Sequence, residues 1–273
     1  MSVNNQIINN SNTYRLVDSH IHLSAPEFIP IQSELINYLK MTQTLVFSVS
    51  ETLESSIDTL KIASLMPDFI IPFVGIHPKF TVNCNLDQFD TFFYKNLNVI
   101  NGIGEIGLDK TYIQKGIDFN SQINVFEHML KIAEKSNKPI SIHSRGATQD
   151  IVQILSSYNI KKIILHWFSG TASELSHVQN LGYLAAFGPA LIYSKSIQKL
   201  ALYSNPEFTV VETDGPVRFS ACFEGKMAEP SFIPSIIQTL SNLWNISPNN
   251  IIQQMFNNLK NYINIFIFQY DNM

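Results

Sequence analysis

Eight short apolar segments alternate with stretches of helical spacing along this 273-residue chain, and few folds accommodate that alternation. The segments are rich in β-branched and aromatic residues, as in TLVFSV at 44–49 and FIIPFVGI at 69–76. Continuous apolar runs joined by helices are typical of parallel strands that are buried on both faces. The predicted strands are a first one around Val17 and then residues 44–49, 69–76, 99–106, 139–142, 162–165, 183–187 and 208–212. At roughly 34 residues per unit, the pattern predicts an α/β fold of the (β/α)₈ TIM-barrel type.

The predicted helices account for most of the sequence between these strands. The clearest is residues 120–136, where Ile123, Phe126 and Leu130 belong to an apolar stripe at three- and four-residue spacing. The others are residues 34–40, 53–65, 86–94, 149–158, 172–180, 231–243 and 248–260. A doubly wound open sheet is the alternative, but polar residues follow many strands here and do not gather at one crevice. Without a linker or repeat, residues 1–273 are expected to form a single domain with a polar lead-in at 1–13.

Composition restricts the classes of partner. A net charge of −4 argues against a broad basic surface for nucleic acid, so such a substrate would be held locally with the help of metal ions. Cys84 and Cys222 form no CxxC pair, which suits a reducing compartment. No apolar run reaches the length of a membrane span, and the N-terminus lacks the regions of a signal peptide. We therefore expect a cytoplasmic protein without a membrane partner, and nothing in the sequence predicts a protein partner.

The segment Val17-Asp18-Ser19-His20-Ile21-His22 carries the first sign of chemistry. In an extended chain, residues two apart point to the same face, so the imidazoles of His20 and His22 are expected to converge. Two converging nitrogen atoms make half of a metal site.

Further polar residues occur where other predicted strands end. The full set is His20, His22, His77, Glu105, His143, His166 and Asp214. It includes five of the seven histidines, and in a parallel barrel all of these strand ends meet at one face, where such enzymes place their active sites. A lone histidine at a strand end is commonly a hydrogen-bonding neighbour, but scattered histidines would not favour one end of the strands.

The residue types predict two divalent metal ions. Four imidazoles and two carboxylates exceed the needs of one tetrahedral zinc, so we expect metal ligands at His20, His22, Glu105, His143, His166 and Asp214. Glu105 is the expected bridge, and Asp214 is expected to be both a ligand and the base that orients the water. Such a pair of ions can activate water and stabilise both oxygens of a phosphodiester displacement. Imidazole ligands favour Zn, Mn, Ni or Fe over Mg.

Six motifs make the chain similar to a known family. They are VDSHIHL (17–23), VGIHP (74–78), GIGEIGLD (102–109), IHSR (142–145), LHWFSG (165–170) and ETDGP (212–216). In this order they resemble the TatD family of metal-dependent deoxyribonucleases, in the wider amidohydrolase group of barrels. The resemblance implies a TIM barrel with two metal ions (Zn, Mg or Mn), usually described as Mg-dependent.

The resemblance also implies a division of the ligands. It assigns His20, His22, Glu105 and Asp214 to the first metal and Glu105, His143 and His166 to the second. It places His77 and Arg145 near the substrate phosphate. The chain departs from the family pattern in the loop 217–229 and in the asparagine-containing stretch 257–266, so the metal site is better supported than the substrate.

Three functions are consistent with these observations. The first is hydrolysis of phosphodiester bonds in DNA, from a strand end, with Asp214 and Glu105 as catalytic residues. The second is hydrolysis of a small ester or amide, although no lysine stands at the end of the fourth strand to become the carbamylated bridge that related enzymes use. The third is a metal-binding scaffold without activity, against which the full set of six ligands argues.

Overall fold

Each of the eight strands pairs in parallel with its neighbour in sequence, in the order β1 to β8. The computed structural model describes residues 15–263, so the predicted polar lead-in at 1–13 lies outside it. The strands β1 to β8 are Val17–Ile21, Leu45–Ser48, Ile70–Val74, Gly102–Gly107, Ile140–His143, Ile163–Leu165, Leu184–Phe187 and Thr209–Val211. Two hydrogen bonds at the ends of β1 and β8 close the sheet into a barrel. Asp214 N donates to the His20 carbonyl (2.9 Å), and His22 N donates to the Gly215 carbonyl (2.8 Å). The predicted TIM barrel is confirmed.

Helices cover the outside of the barrel. The helices α1 to α10 are Gln32–Thr42, Leu53–Leu65, Leu86–Lys95, Phe119–Ser136, Thr148–Leu155, Ala172–Asn180, Ala190–Tyr193, Lys195–Tyr203, Ile233–Trp244 and Pro248–Ile263. Local sequence explains where several begin. Asp118 accepts a hydrogen bond from Ser121 N (2.9 Å) at the start of α4, and Thr171 forms a capping box with Glu174 at the start of α6.

Burial follows from this layered arrangement. Every strand residue is buried except His143, which is half-buried, as expected for parallel strands enclosed by side chains within and helices without. At the N-terminal end of the strands, α10 packs across the barrel. Its Asn258 Nδ2 donates to the carbonyls of Pro206 (2.8 Å) and Thr209 (2.7 Å), and Tyr262 Oη donates to the Ile140 carbonyl (2.5 Å). The other end of the barrel carries the polar residues.

The predicted elements differ from the observed ones mainly between β7 and β8. The sequence prediction missed α7 and α8, because Gly188-Pro189 and Ser194 divide this stretch into two short helices with no long apolar stripe. The helix predicted at 149–158 ends earlier, at Leu155, and residues 230–232 form a 3₁₀ turn before α9 begins. Across residues 15–263, no helix is both long and apolar enough to span a bilayer.

Candidate metal centre

Glu105, on β4, is the side chain around which the predicted ligands gather. Its Oε1 atom lies 2.7 Å from both His143 Nδ1 and His166 Nε2. Its Oε2 atom lies 3.4 Å from the Nε2 atoms of both His20 and His22. The carboxylate therefore faces two histidine pairs, one with each oxygen.

Asp214 completes the group from the other side. Its Oδ1 lies 3.6 Å from His20 Nε2 and 3.4 Å from His22 Nε2. Asp214 has a φ of 52°, a left-handed conformation that Asp tolerates better than most residues, and its backbone N–H is bonded to the end of β1. The turn after β8 thus directs this carboxylate toward His20 on β1 and His22 directly after it, and all six predicted ligands lie together.

His77 lies deeper than a substrate contact at the rim would. Its Nε2 is 3.4 Å from Glu105 Oε1 and 3.4 Å from His143 Nδ1, and the residue is buried. His77 Nδ1 accepts a hydrogen bond from Lys79 N (3.1 Å), which places the proton of a neutral ring on Nε2. The side chain therefore presents a hydrogen-bond donor to the centre of the site.

Arg145 lies at the mouth of the same cleft, whose volume is about 480 Å³. The residue is exposed, and among residues 15–263 its guanidinium has no ion-pair partner. Lys79 and Tyr112 line the cleft beside it. An exposed guanidinium without a carboxylate partner is available to an anionic ligand.

The pKa values of His20 and Glu105 shift in the directions that a cation between them requires. Those of His22, His143 and His166 are raised, because the lowering effect of burial is outweighed by the adjacent carboxylates. Burial, together with repulsion from His166, lowers the pKa of the His20 imidazole to about 3. Burial opposes ionisation of Glu105, but His166 and His77 outweigh it and hold the pKa of that carboxyl well below its usual range. A neutral imidazole thus faces an ionised carboxylate, which is the state of both groups in a metal site.

An unpartnered nitrogen atom provides a direct test of whether these residues fit metal ions. His20 Nδ1 lies 3.1 Å from Ser141 Oγ, which leaves Nε2 facing the carboxylates of Glu105 and Asp214. That Nε2 atom is buried and has no hydrogen-bond partner in the described part of the chain. Buried polar atoms are rarely left unpaired, so a divalent cation among these groups accounts for its position. The predicted donor set therefore fits metal ions.

The ligand atoms also group as a metal site requires. Three sets of acidic and histidine side chains each bring their ligand atoms within 4.8 Å of one another, namely His20–His22–Asp214, His20–His166–Glu212 and His77–Glu105–His143. The clusters could hold metal, and they include every predicted ligand.

Two carboxylates in the site were not predicted. Asp109 Oδ2 lies 2.9 Å from His143 Nε2, and Glu212 Oε1 lies 3.6 Å from His166 Nδ1. Burial by itself would raise the pKa of Asp109, but hydrogen bonds from His143 and Thr111 lower it to about 2. Both carboxylates face the ring nitrogens that Glu105 does not contact, which is how histidine ligands are commonly oriented. Asp109 ends the motif GIGEIGLD and Glu212 begins ETDGP, so their places in these motifs were the sequence feature that could have identified them.

Comparisons with known proteins show which sequences and structures this chain is similar to. A sequence profile of the family described as TatD related DNase matches residues 17–264. YabD of Bacillus subtilis, described as an uncharacterized metal-dependent hydrolase, is 26% identical over 240 residues, which are 84% of this chain and 91% of YabD. The Homo sapiens deoxyribonuclease TATDN3 is 26% identical over 213 residues, which are 74% of this chain and 78% of that protein. The crystal structure of YJJV, a TatD homolog from Escherichia coli, has the same fold, with a TM-score of 0.84 at 21% identity over 92% of this chain and 99% of YJJV.

Proposed function

This chain belongs to the TatD related DNase family and is a hydrolase acting on ester bonds; on that basis we propose that it cleaves phosphodiester bonds in DNA, from a strand end. The observation that carries the proposal is the gathering of four imidazoles and Asp214 around Glu105, with the unpaired guanidinium of Arg145 at the mouth of the same cleft. The first feature suits metal-assisted hydrolysis, and the second suits an anionic substrate.

Two divalent ions would be held by the six predicted ligands. His20, His22, Glu105 and Asp214 would hold the first, and Glu105, His143 and His166 the second. When bound, such ions supply positive charge for the phosphate oxygens and make water more acidic. The four imidazoles suit Zn or Mn, and Mg is the third candidate.

The chain's own residues perform the remaining tasks. Asp214 orients the attacking water and accepts its proton. Burial by itself would raise the pKa of its carboxyl, but the neighbouring imidazoles outweigh burial and hold that pKa below the usual range, and the residue lines the cleft. His77 donates from Nε2 to a phosphate oxygen, since its Nδ1 already accepts from Lys79 N. Arg145 makes charge-assisted hydrogen bonds with the same phosphate or its neighbour.

A cleavage assay tests this proposal. The protein is stripped with a chelator, and Mg, Mn or Zn is added back in the presence of single-stranded DNA labelled at one end or the other. We expect metal-dependent shortening, and the label that is lost first identifies the end attacked. Asp214→Asn should lower kcat by about 10²- to 10⁴-fold while the circular dichroism spectrum stays unchanged. Full activity in this variant would remove Asp214 from the mechanism.

One observation favours a smaller substrate as a second candidate. Glu27 and Glu51 line the cleft beside Lys79 and Arg145, so a long polyanion meets negative charge there as well as positive. A small ester or amide avoids that cost. If no metal supports DNA cleavage while the protein still binds metal, a panel of small esters and amides is the next set of substrates.

A further inference from the structure

Trp167 is a large aromatic side chain at the edge of the candidate metal centre. It directly follows His166 after β6, and it is 37% exposed. Most large apolar side chains in this barrel are buried, and an indole left open to solvent beside a cleft is in a position to contact a ligand.

One contact holds the backbone of Trp167 in place and another holds its ring. Its backbone N–H donates to Glu212 Oε1 (2.6 Å), and its ring packs on Phe219 with the ring centres 5.2 Å apart. Phe219 is itself buried in a small apolar cluster with Ala228 and Phe232. The indole is therefore a supported surface and not a freely rotating side chain.

Trp167 also shares a cavity with Arg145. A side cavity of about 190 Å³ next to the main cleft is lined by His143, Ser144, Arg145, His166, Trp167 and Ser169. Both Arg145 and Trp167 line the main cleft as well. A molecule in this corner thus meets an unpaired cation, an aromatic ring and two histidines of the candidate metal centre.

We infer that Trp167 stacks on an unpaired nucleobase of the substrate while Arg145 holds the adjoining phosphate. The inference rests on the proposed phosphodiesterase function and adds a base-binding residue beside the scissile bond. A nucleotide is the ligand that carries a flat aromatic group and an anion at adjoining positions. Base–aromatic stacking is independent of base identity, so this subsite selects unpaired strands and not sequences.

The first test compares substrates with and without bases. The two substrates are single strands of equal length, one with normal nucleotides throughout and one with tetrahydrofuran residues replacing the three nucleotides at each end. Trp167→Ala should lower kcat/KM about 5- to 150-fold on the normal strand. It should leave kcat/KM unchanged on the strand with base-free ends. The kcat/KM of Trp167→Phe on the normal strand should lie between that of the wild type and that of Trp167→Ala.

The substitution and its control are matched to the structure. Trp167 has a φ of 40°, and alanine also carries a Cβ atom, so the backbone conformation costs the variant about what it costs the wild type. Tyr203→Ala removes another exposed aromatic side chain, at the end of α8 and away from the cleft, and should leave kcat/KM unchanged on both strands. An equal loss on both strands in Trp167→Ala, or no loss on either, would overturn the inference.

A second test does not require turnover. The chain has two tryptophans, so in a Trp244→Phe background the indole fluorescence reports on Trp167. Metal-loaded protein is titrated with phosphorothioate-linked trithymidylate and with the same backbone lacking bases. We expect quenching by the first ligand only. The difference in signal between the wild type and Trp167→Phe provides the same information if Trp244→Phe folds poorly.

The outcomes separate the two proposals. Quenching without cleavage by any metal would remove the nuclease function and keep the base-binding subsite. Cleavage at equal rates with and without bases, and no quenching, would support the nuclease function and overturn the base-binding subsite.

Discussion

Glu105 is the residue through which the other groups in the site are connected. Its two oxygens face different histidine pairs, and it is buried, so its negative charge is balanced by its neighbours and not by solvent. Removing that charge leaves the imidazoles without a common anionic partner. Glu51 lines the same cleft but makes a weaker contact. Its Oε1 lies 3.9 Å from His77 Nδ1, and its side chain is 38% exposed.

We therefore predict that Glu105→Gln loses metal. The neutral amide keeps the size of the side chain but cannot balance two cations, so the purified variant should retain less than half of the metal of the wild type. Elemental analysis by mass spectrometry measures this directly. Glu51→Gln is the matched control and should keep the wild-type content. A full metal complement in Glu105→Gln would contradict a bridging role.

Asp109 is expected to act on the metal through His143. Its Oδ2 is bonded to His143 Nε2, and its Oδ1 accepts from Thr111 N (2.7 Å), so the carboxylate is fixed from both sides. Asp109→Asn removes the charge that orients the ring, and metal affinity should fall about 10- to 100-fold. Competition with a chelator measures the affinity. Asp150→Asn, which breaks only a surface pair with Lys110, should bind metal as the wild type does.

At the scale of elements, α10 packs against the end of the barrel opposite the site. Asn258 donates to the carbonyl of Pro206 before β8 and to that of Thr209 at its start, and it also accepts from Gln254 Nε2 (2.8 Å). The sequence placed this asparagine in a helix without indicating what it bonds. Its role in the structure is to attach that helix to the strand that carries Asp214.

We predict that Asn258→Ala destabilises the fold. The buried carbonyl of Thr209 and the half-buried carbonyl of Pro206 each lose a donor, so the free energy of unfolding should fall by about 1–3 kcal/mol. Urea denaturation followed by circular dichroism measures the change. Asn261→Ala, on an exposed position of the same helix, should change it by less than about 0.5 kcal/mol. A change in Asn258→Ala as small as that of the control would show that the two bonds contribute little.

At the scale of the whole molecule, the candidate metal centre joins the barrel's strands. The ligands come from β1, β4, β5 and the segments after β6 and β8, so bound ions would connect parts of the chain that are far apart in sequence. A ligand that binds only the folded state stabilises it, by about 2.7 kcal/mol when present at a hundred times its Kd.

Metal removal should therefore lower the melting temperature. For a protein of this size we expect a decrease of roughly 5–10 °C when the wild type is treated with a chelator. Differential scanning calorimetry measures it. Glu105→Gln serves as the reference, because a variant that binds little metal should respond little to the chelator. An equal decrease in both proteins would indicate that the chelator acts elsewhere.

The sequence by itself determined the barrel, its eight strands and the six residues that lie together in the candidate metal centre. Strand burial depends on local apolar runs, and parallel strands bring their carboxyl ends to one face, so periodicity and strand-end residues were enough for these predictions. The two short helices between β7 and β8 were missed, because a four-residue and a nine-residue helix contain too little periodic signal.

Only the tertiary structure decided how the groups pair. The bonds of Asp109 with His143, the depth of His77 and the packing of Trp167 on Phe219 join residues on different elements, at distances that no local pattern specifies. A side chain's partner depends on how neighbouring strands and loops are placed. The residue types that can bind metal were therefore readable from the chain, and the groups that orient them were not.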